Sequence, residues 1–204
     1  MANDEAGYIY SAYSIFKTGK DPTGKFLPVS INLDNSFSPV YIYATAPFVG
    51  VLGLSSFAGR LPFALMGIGS VGLLFFLVRK LFNNDLIALL SALVLAISPW
   101  HLHISRAAFD ANFALFFYLL AIYLFIINSK KGNVIFSLPA FFLAFYSYHA
   151  TKIFFLFIIP ALIYVYWPEI SSRKKEAPLF VIGCGMIFVS FFYLMRKQGA
   201  SSRA

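Results

Sequence analysis

The chain has 204 residues, of which 60% are hydrophobic, 19% aromatic and only 12% charged, with a mean hydropathy of +0.78. Soluble domains carry charge on roughly a quarter of their residues, so this composition excludes a soluble enzyme, a disordered chain and a disulfide scaffold and indicates an integral membrane protein. The formal charge of +8 is distributed over short loops between apolar runs, which points to membrane orientation and away from nucleic acid.

The opening Met1-Ala2-Asn3-Asp4-Glu5 is polar and lacks the basic-then-apolar pattern of a signal peptide; both ends of the chain are expected to be cuts in a longer protein. Residues 8–16 place Tyr8, Ala12, Ile15 and Phe16 at helical spacing and close on Lys17, Thr18 and Gly19, predicting a short helix along the membrane surface. Pro22, Gly24, Pro28, Asn32, Asp34, Asn35 and Ser38 make 20–38 an ordered loop. A second short helix is expected over 39–52, interrupted by Pro47. Six apolar runs follow, 57–78, 86–99, 107–127, 134–148, 153–167 and 178–195, each approaching the ~20 residues that cross a ~30 Å hydrocarbon core. Gly67, Gly69 and Gly72 would allow close helix packing. Cys184, the single cysteine, lies in the last run, without a partner for a disulfide or a metal cluster.

The expected fold is all-α: an external loop over 1–59 with two amphipathic surface helices, then a polytopic transmembrane helical bundle over 60–204. Arg79-Lys80, Lys130-Lys131 and Arg173-Lys174-Lys175 occur at every second loop and are expected in the cytoplasm. The segments 1–59, 100–112 and 149–152 and the tail after 195 then share the opposite side. Helix 39–52 is expected to lie on the surface or to be half-inserted, since counting it as a span would put Arg79-Lys80 outside.

Three features on that outer side are costly near lipid, and ionisable groups at membrane depth are candidates for function. They are Asp4-Glu5 before the first helix, Arg106 with Asp110, and His149 with Lys152. The acidic pair can supply a base and a hydroxyl-binding group, or simply favour a helix N-terminus. Arg106 and Asp110 are four residues apart, so on one helix they would share a face as an ion pair, or present a phosphate-binding guanidinium beside a carboxylate. His101 and His103 share a face only on an extended segment, which Pro99 permits. They are hydrogen-bonding interfacial histidines, or metal ligands if His149 or Glu5 supplies a third. Trp100, Trp167 and many tyrosines are interfacial aromatics.

Asp4-Glu5-Ala6, Ser38-Pro39-Val40-Tyr41, Arg60-Leu61-Pro62, Ser98-Pro99-Trp100-His101, Ser105-Arg106-Ala107-Ala108-Phe109-Asp110 and Tyr148-His149-Ala150-Thr151-Lys152 follow one another in this order. Their order and sidedness resemble the N-terminal half of a membrane-embedded GT-C glycosyltransferase, in the branch of protein O-mannosyltransferases and bacterial aminoarabinose transferases. The resemblance covers nearly the whole chain. It implies transfer of a sugar from a polyprenyl-phosphate donor to an acceptor protein, lipid or glycan at the external face of the plasma (inner) membrane. It also implies that a first helix before the acidic pair, and later spans, are missing. By position Asp4 matches the family's loop carboxylate, the proposed general base, and Glu5 its neighbour. Asp110 matches the acid at the start of a later span, and Arg106 and Lys152, with Arg60 and His149 as further candidates, would surround donor phosphate and substrate. Metal dependence varies across the superfamily and no complete ligand set is recognisable, so a divalent metal on His101 and His103 stays open. The alternatives are a transporter or channel, which would concentrate charges or broken helices near mid-membrane, and an inactive truncated membrane product.

Overall fold

A computed structural model describes residues 3–27, 39–130, 132–148, 150–171 and 176–201. Among them the chain is all-α, with one isolated antiparallel bridge, Lys20 to Phe26.

The first helix, α1 (Asn3–Thr18), is longer than the predicted 8–16 because its buried stripe begins a turn earlier. Glu5, Ile9, Ala12 and Ile15 are buried at the spacing of one helix face, whereas Phe16 is exposed. Gly19, at φ 68, ends the helix by donating its N–H to the Ile15 carbonyl at 2.9 Å, a left-handed position that suits glycine. Asp21 then orders the loop: its Oδ1 accepts from the Thr23 N–H at 3.0 Å, the Thr23 hydroxyl at 2.7 Å and the Lys25 N–H at 2.8 Å. The rest of the predicted loop, 28–38, lies outside the described residues.

Helix α2 (Pro39–Leu52) carries Pro47 inside it without being broken. Tyr41, Ile42, Thr45, Ala46 and Val49 are buried on both sides of the proline, and this packing holds the helix across the hydrogen bond that proline cannot make. At 1.5 Å per residue α2 is about 21 Å long, short of a ~30 Å hydrocarbon core. It packs on α1 and on the bundle.

Helix α3 (Ser56–Phe82) starts where Ser55 Oγ accepts the Ala58 N–H at 3.2 Å, so its first turn falls inside the predicted external segment. It stops at Asn83, in the left-handed region at φ 50, whose N–H donates to the Arg79 carbonyl. Asn84 caps the next helix at once, its Oδ1 accepting from Leu86 and Ile87 at 2.9 and 3.1 Å. Two adjacent asparagines thus end one helix and start another, the tolerance for left-handed φ serving the first and the short acceptor side chain the second.

Helices α4 (Asp85–Ile97) and α5 (Pro99–Arg106) form a pair bent by 59°. Proline at position 99 drives Ser98 to ψ 122, because the ring excludes the helical conformation from the residue before it. Most of the segment expected to be a loop over 100–112 is therefore helix. The chain turns through Ala107 to Phe109 and enters α6 (Asp110–Ser129). A short 3-10 helix (Val134–Ser137), α7 (Leu138–Ser147), α8 (Thr151–Val165), α9 (Trp167–Ser171) and α10 (Glu176–Ser201) complete the chain.

Ring contacts fix the direction of the path. Phe63 meets Phe113 at 4.9 Å between centroids and Phe76 meets Tyr123 at 6.4 Å, so α3 and α6 run parallel and the α4–α5 pair carries the chain back between them. Phe141 against Phe180 and Phe145 against Phe188, both at 6.2 Å, make α7 and α10 parallel. Tyr118 donates to the Thr151 carbonyl at 2.7 Å and Phe125 meets Tyr166 at 5.8 Å, so α8 runs with α6. Arg79, Lys80 and Lys130 consequently share one end of the bundle, called here the basic end, and Ser56 and Asp110 the other, called the head.

Among the described residues two helices, α3 and α6, are long and apolar enough to cross a membrane, and the bent α4–α5 pair makes up to three. The other apolar helices, Pro39–Leu52, Val134–Ser147, Thr151–Val165 and Pro178–Ser190, are shorter. On α4 the side chains of Leu86, Leu89, Leu90, Leu93, Val94 and Ile97 are exposed, an apolar surface suited to lipid and not to water. Gly67 lies under Ser105, and a Cβ on Gly69 would stand 2.6 Å from the Phe116 ring, so these two glycines admit α5 and α6. Gly72 faces open space and plays no such part. Single cysteines at 79, 130 and 103, in a Cys184→Ser background, should label in two groups. Positions 79 and 130 react from one side of the membrane and 103 from the other; labelling of 79 and 103 from the same side overturns this path.

A candidate active-site groove at the head of the bundle

Glu5, in the first turn of α1, and Arg60, in the first turns of α3, form a two-pronged ion pair across 55 positions of sequence. Arg60 Nε contacts Glu5 Oε1, and Nη2 donates to Oε2 at 2.9 Å. The carboxylate is buried, and the bidentate geometry orients both groups. The pair fastens α1 to the head, assisted by Ile9 packed over Gly59 and by the edge-on contact of Tyr8 with Tyr41 at 5.0 Å.

Beside the pair a groove of 430 Å³ is lined by Ser56, Phe57, Arg60, Leu61, Ala64, Ser105 and Arg106. Arg60 and Arg106 come from different helices, and the bend at Pro99 is what brings the end of α5 to the start of α3. Arg106 has no ion-pair partner among the described residues. The lining is apolar along Phe57, Leu61 and Ala64 and cationic at its edge.

Asp110 does not share a helix with Arg106. Helix α5 ends at Arg106, Ala108 takes φ 27, and Asp110 is the first residue of α6. The i,i+4 pairing expected from their spacing is thus replaced by a turn, because Ala107 to Phe109 interrupt the helix that the pairing requires. Asp110 is half-buried and its Oδ1 accepts from the Ala111 N–H at 3.0 Å. Two positions on, Asn112 is fully buried and donates to the Phe63 carbonyl at 2.6 Å. That bond ties α6 to α3 beneath the groove.

Lys152 lies at the start of α8, next to Thr151, whose carbonyl is held by Tyr118. Tyr118 is eight residues along α6 from Asp110, about 12 Å along the helix axis. The geometry therefore brings Glu5, Arg60 and Arg106 together, places Asp110 on the adjoining turn, and sets Lys152 beside the Thr151 carbonyl that Tyr118 of α6 holds. Asp4 precedes Glu5 in the first turn of α1, which puts its backbone one residue from the Arg60 pair; its side chain, and the whole of His149, lie outside the described residues.

His101 and His103 are on the helical α5 and not on an extended segment, so they point apart. His101 is 3% exposed with neither ring nitrogen hydrogen-bonded. His103 is exposed and stacks on Phe109 at 5.5 Å. No group of three His, Cys, Asp or Glu side chains close enough to hold a metal ion occurs among the described residues, and the two histidines do not fit a shared ion.

Sequence reasoning missed the Glu5–Arg60 pair and the buried polar seam of His101, Ser105 and Asn112. An asparagine two residues into an apolar run was a legible signal for the seam; nothing in the sequence couples residues 5 and 60. The Arg60 hydrogen bond holds the Glu5 carboxyl below its ordinary value of 4.5, against burial, which raises it. A depressed carboxylate contributes stability that is present above its unfolded value and lost as pH falls through its folded one. Hydrogen exchange in α1, corrected for intrinsic rate, should therefore accelerate as pH falls below the ordinary carboxyl value of 4.5. In Glu5→Gln that acid-dependent step should disappear; an unchanged step would show that another group holds α1.

The chain is 26% identical over 194 residues to the Bacillus subtilis (strain 168) protein named "Putative mannosyltransferase YycA", covering 94% of this chain and 27% of that protein. It is 29% identical over 126 residues to "Putative mannosyltransferase YkcB" of the same organism, covering 62% of this chain and 18% of the relative. The chain thus spans about a quarter or less of the length of these curated relatives. No solved structure matches it. Residues 36–195, most of the chain and including α3 to α9, match a family described as dolichyl-phosphate-mannose-protein mannosyltransferase. On that match, the chain belongs to the dolichyl-phosphate-mannose-protein mannosyltransferase family.

Proposed function

We propose that the chain forms the donor-binding head of a membrane glycosyltransferase that moves a sugar from a polyprenyl-phosphate carrier to an acceptor hydroxyl at the external face of the plasma (inner) membrane. The observation that carries this reading is the groove between α3 and α5, apolar along Phe57, Leu61 and Ala64 and edged by Arg106 and the Glu5-bound Arg60. An isoprenoid phosphate has the same two-part chemistry: a hydrocarbon that stays in lipid and a phosphate that needs a cation where it meets water.

The chemistry follows from that placement. The acceptor O–H gives its proton to a carboxylate, its oxygen attacks the anomeric carbon, and the bond from that carbon to the phosphate oxygen breaks. The configuration inverts, and polyprenyl phosphate leaves with the electron pair. Asp4 is the proposed base, as the residue before the Glu5 that pairs with groove-lining Arg60, and Asp110 the second carboxylate at the head. Arg106 stabilises the charge gathering on the departing phosphate. Lys152, at the start of α8, is proposed to bind substrate, with His149 in the same segment of sequence. No metal step is needed to balance this reaction.

Membranes containing the full-length protein should transfer label from a radiolabelled polyprenyl-phosphate sugar and not from the corresponding nucleotide sugar. Transfer from the nucleotide sugar alone would refute the proposal.

A further inference from the structure

At the basic end, opposite the groove, a second cavity of 480 Å³ opens between the ends of α3 and α6, lined by Phe76, Arg79, Lys80, Asn83, Tyr123 and Lys130. Its walls come from segments 50 residues apart, brought together because α3 and α6 run parallel and end at the same level. Each member has a structural reason for its place. The left-handed turn at Asn83 stops α3 just after its two basic residues. Asp85 pairs with Arg79, its Oδ1 standing 2.6 Å from Arg79 Nε, an exposed ion pair at the wall. Lys80 and Lys130 are both exposed at the mouth. The floor is the Phe76–Tyr123 ring pair, and Phe76 is half exposed toward the apolar flank of α3, continuous with its partner ring Phe75 at 5.4 Å.

Charged loops at a helix end orient a protein in a bilayer wherever they stand; they need not share one concavity with an aromatic floor. Among the described residues three cations line a single cleft, Arg79 paired with Asp85 beside it, and its floor leads onto a surface that only acyl chains would cover. A soluble phosphate would use the rim and leave the floor bare. We propose that this cleft binds the phosphate headgroup of an anionic membrane phospholipid, with Lys80 and Lys130 at the phosphate and the acyl chains along the Phe75–Phe76 flank of α3. Basic pockets between helices at a membrane face suit such headgroups. This site lies at the far end of α3 and α6 from the proposed donor groove and does not depend on the transfer reaction.

The test is thermal unfolding of the full-length protein in neutral detergent, with phosphatidylglycerol, phosphatidylcholine or glycerol 3-phosphate added at matched concentration. Phosphatidylglycerol should raise the apparent Tm by about 5 °C, and the other two by much less. Lys80→Gln combined with Lys130→Gln should remove more than half of that rise, measured from the variant's own lipid-free Tm. Lys17→Gln combined with Lys25→Gln, which removes equal charge at the other end, should keep it. Native mass spectrometry gives a second readout, with retained phosphatidylglycerol lost from the first double variant and kept in the second. An equal rise with phosphatidylcholine or with glycerol 3-phosphate overturns the proposal, as does equal loss of bound lipid in both double variants.

Discussion

Replacing Asp4 by Asn in the full-length protein should lower kcat by about two to four orders of magnitude while leaving donor affinity nearly unchanged. The substitution keeps shape and hydrogen-bonding capacity and removes only the ability to take a proton, so the loss falls on the chemical step. The geometry of α1 supplies the reason for choosing Asp4 over its neighbour. Glu5 is engaged by Arg60 through both carboxylate oxygens and is an anchor, which leaves Asp4 as the member of the acidic pair proposed for the base role. Glu5→Gln therefore gives a contrasting result: a charged hydrogen bond of about 1.5–3 kcal/mol is weakened, the α1 amides exchange faster, and activity falls through misplacement of the helix. Radiolabelled transfer, with donor affinity measured separately, distinguishes the two. Near-normal turnover in Asp4→Asn would remove it from the base role and make Asp110 the next candidate.

Arg106→Ala should lower kcat/KM for the polyprenyl-phosphate sugar by about 30- to 1,000-fold, equivalent to about 2–4 kcal/mol of transition-state stabilisation. Arg106 stands at the groove edge without an ion-pair partner among the described residues, so its charge is available to a ligand, whereas that of Arg60 is compensated by Glu5. Because the phosphate gains charge as the glycosidic bond breaks, the loss should appear in kcat as well as in donor binding. Lysine at 106 should recover only part of it, since a point charge replaces a planar fork. Lys152→Ala, at the start of α8, should act chiefly on binding. An Arg106→Ala enzyme with unaltered kcat/KM, alongside a strongly impaired Arg60→Ala, would mean that the donor phosphate sits on the Glu5 side of the groove.

Composition and apolar periodicity were enough to establish an all-α membrane chain. The basic pairs at alternate loops anticipated that Arg79, Lys80 and Lys130 would share an end, which the parallel α3 and α6 provide. These properties are local: an apolar run makes a helix whatever it packs against, because in lipid the backbone must bond to itself. The stops and starts at Gly19, Asn83, Asn84 and Pro99 are equally local, since each depends on one residue's φ range or side-chain acceptor. Tertiary structure alone decided which chemistry-bearing residues meet. Residue spacing suggested an Arg106–Asp110 pair, and the turn through Ala108 removed it; it suggested two histidines facing one ion, and helical α5 turned one into the core and the other outward. The Glu5–Arg60 pair, which sets the position of α1 and with it Asp4, has no local signature, because the attraction between two charges depends on their distance in space and not on the 55 positions that separate them.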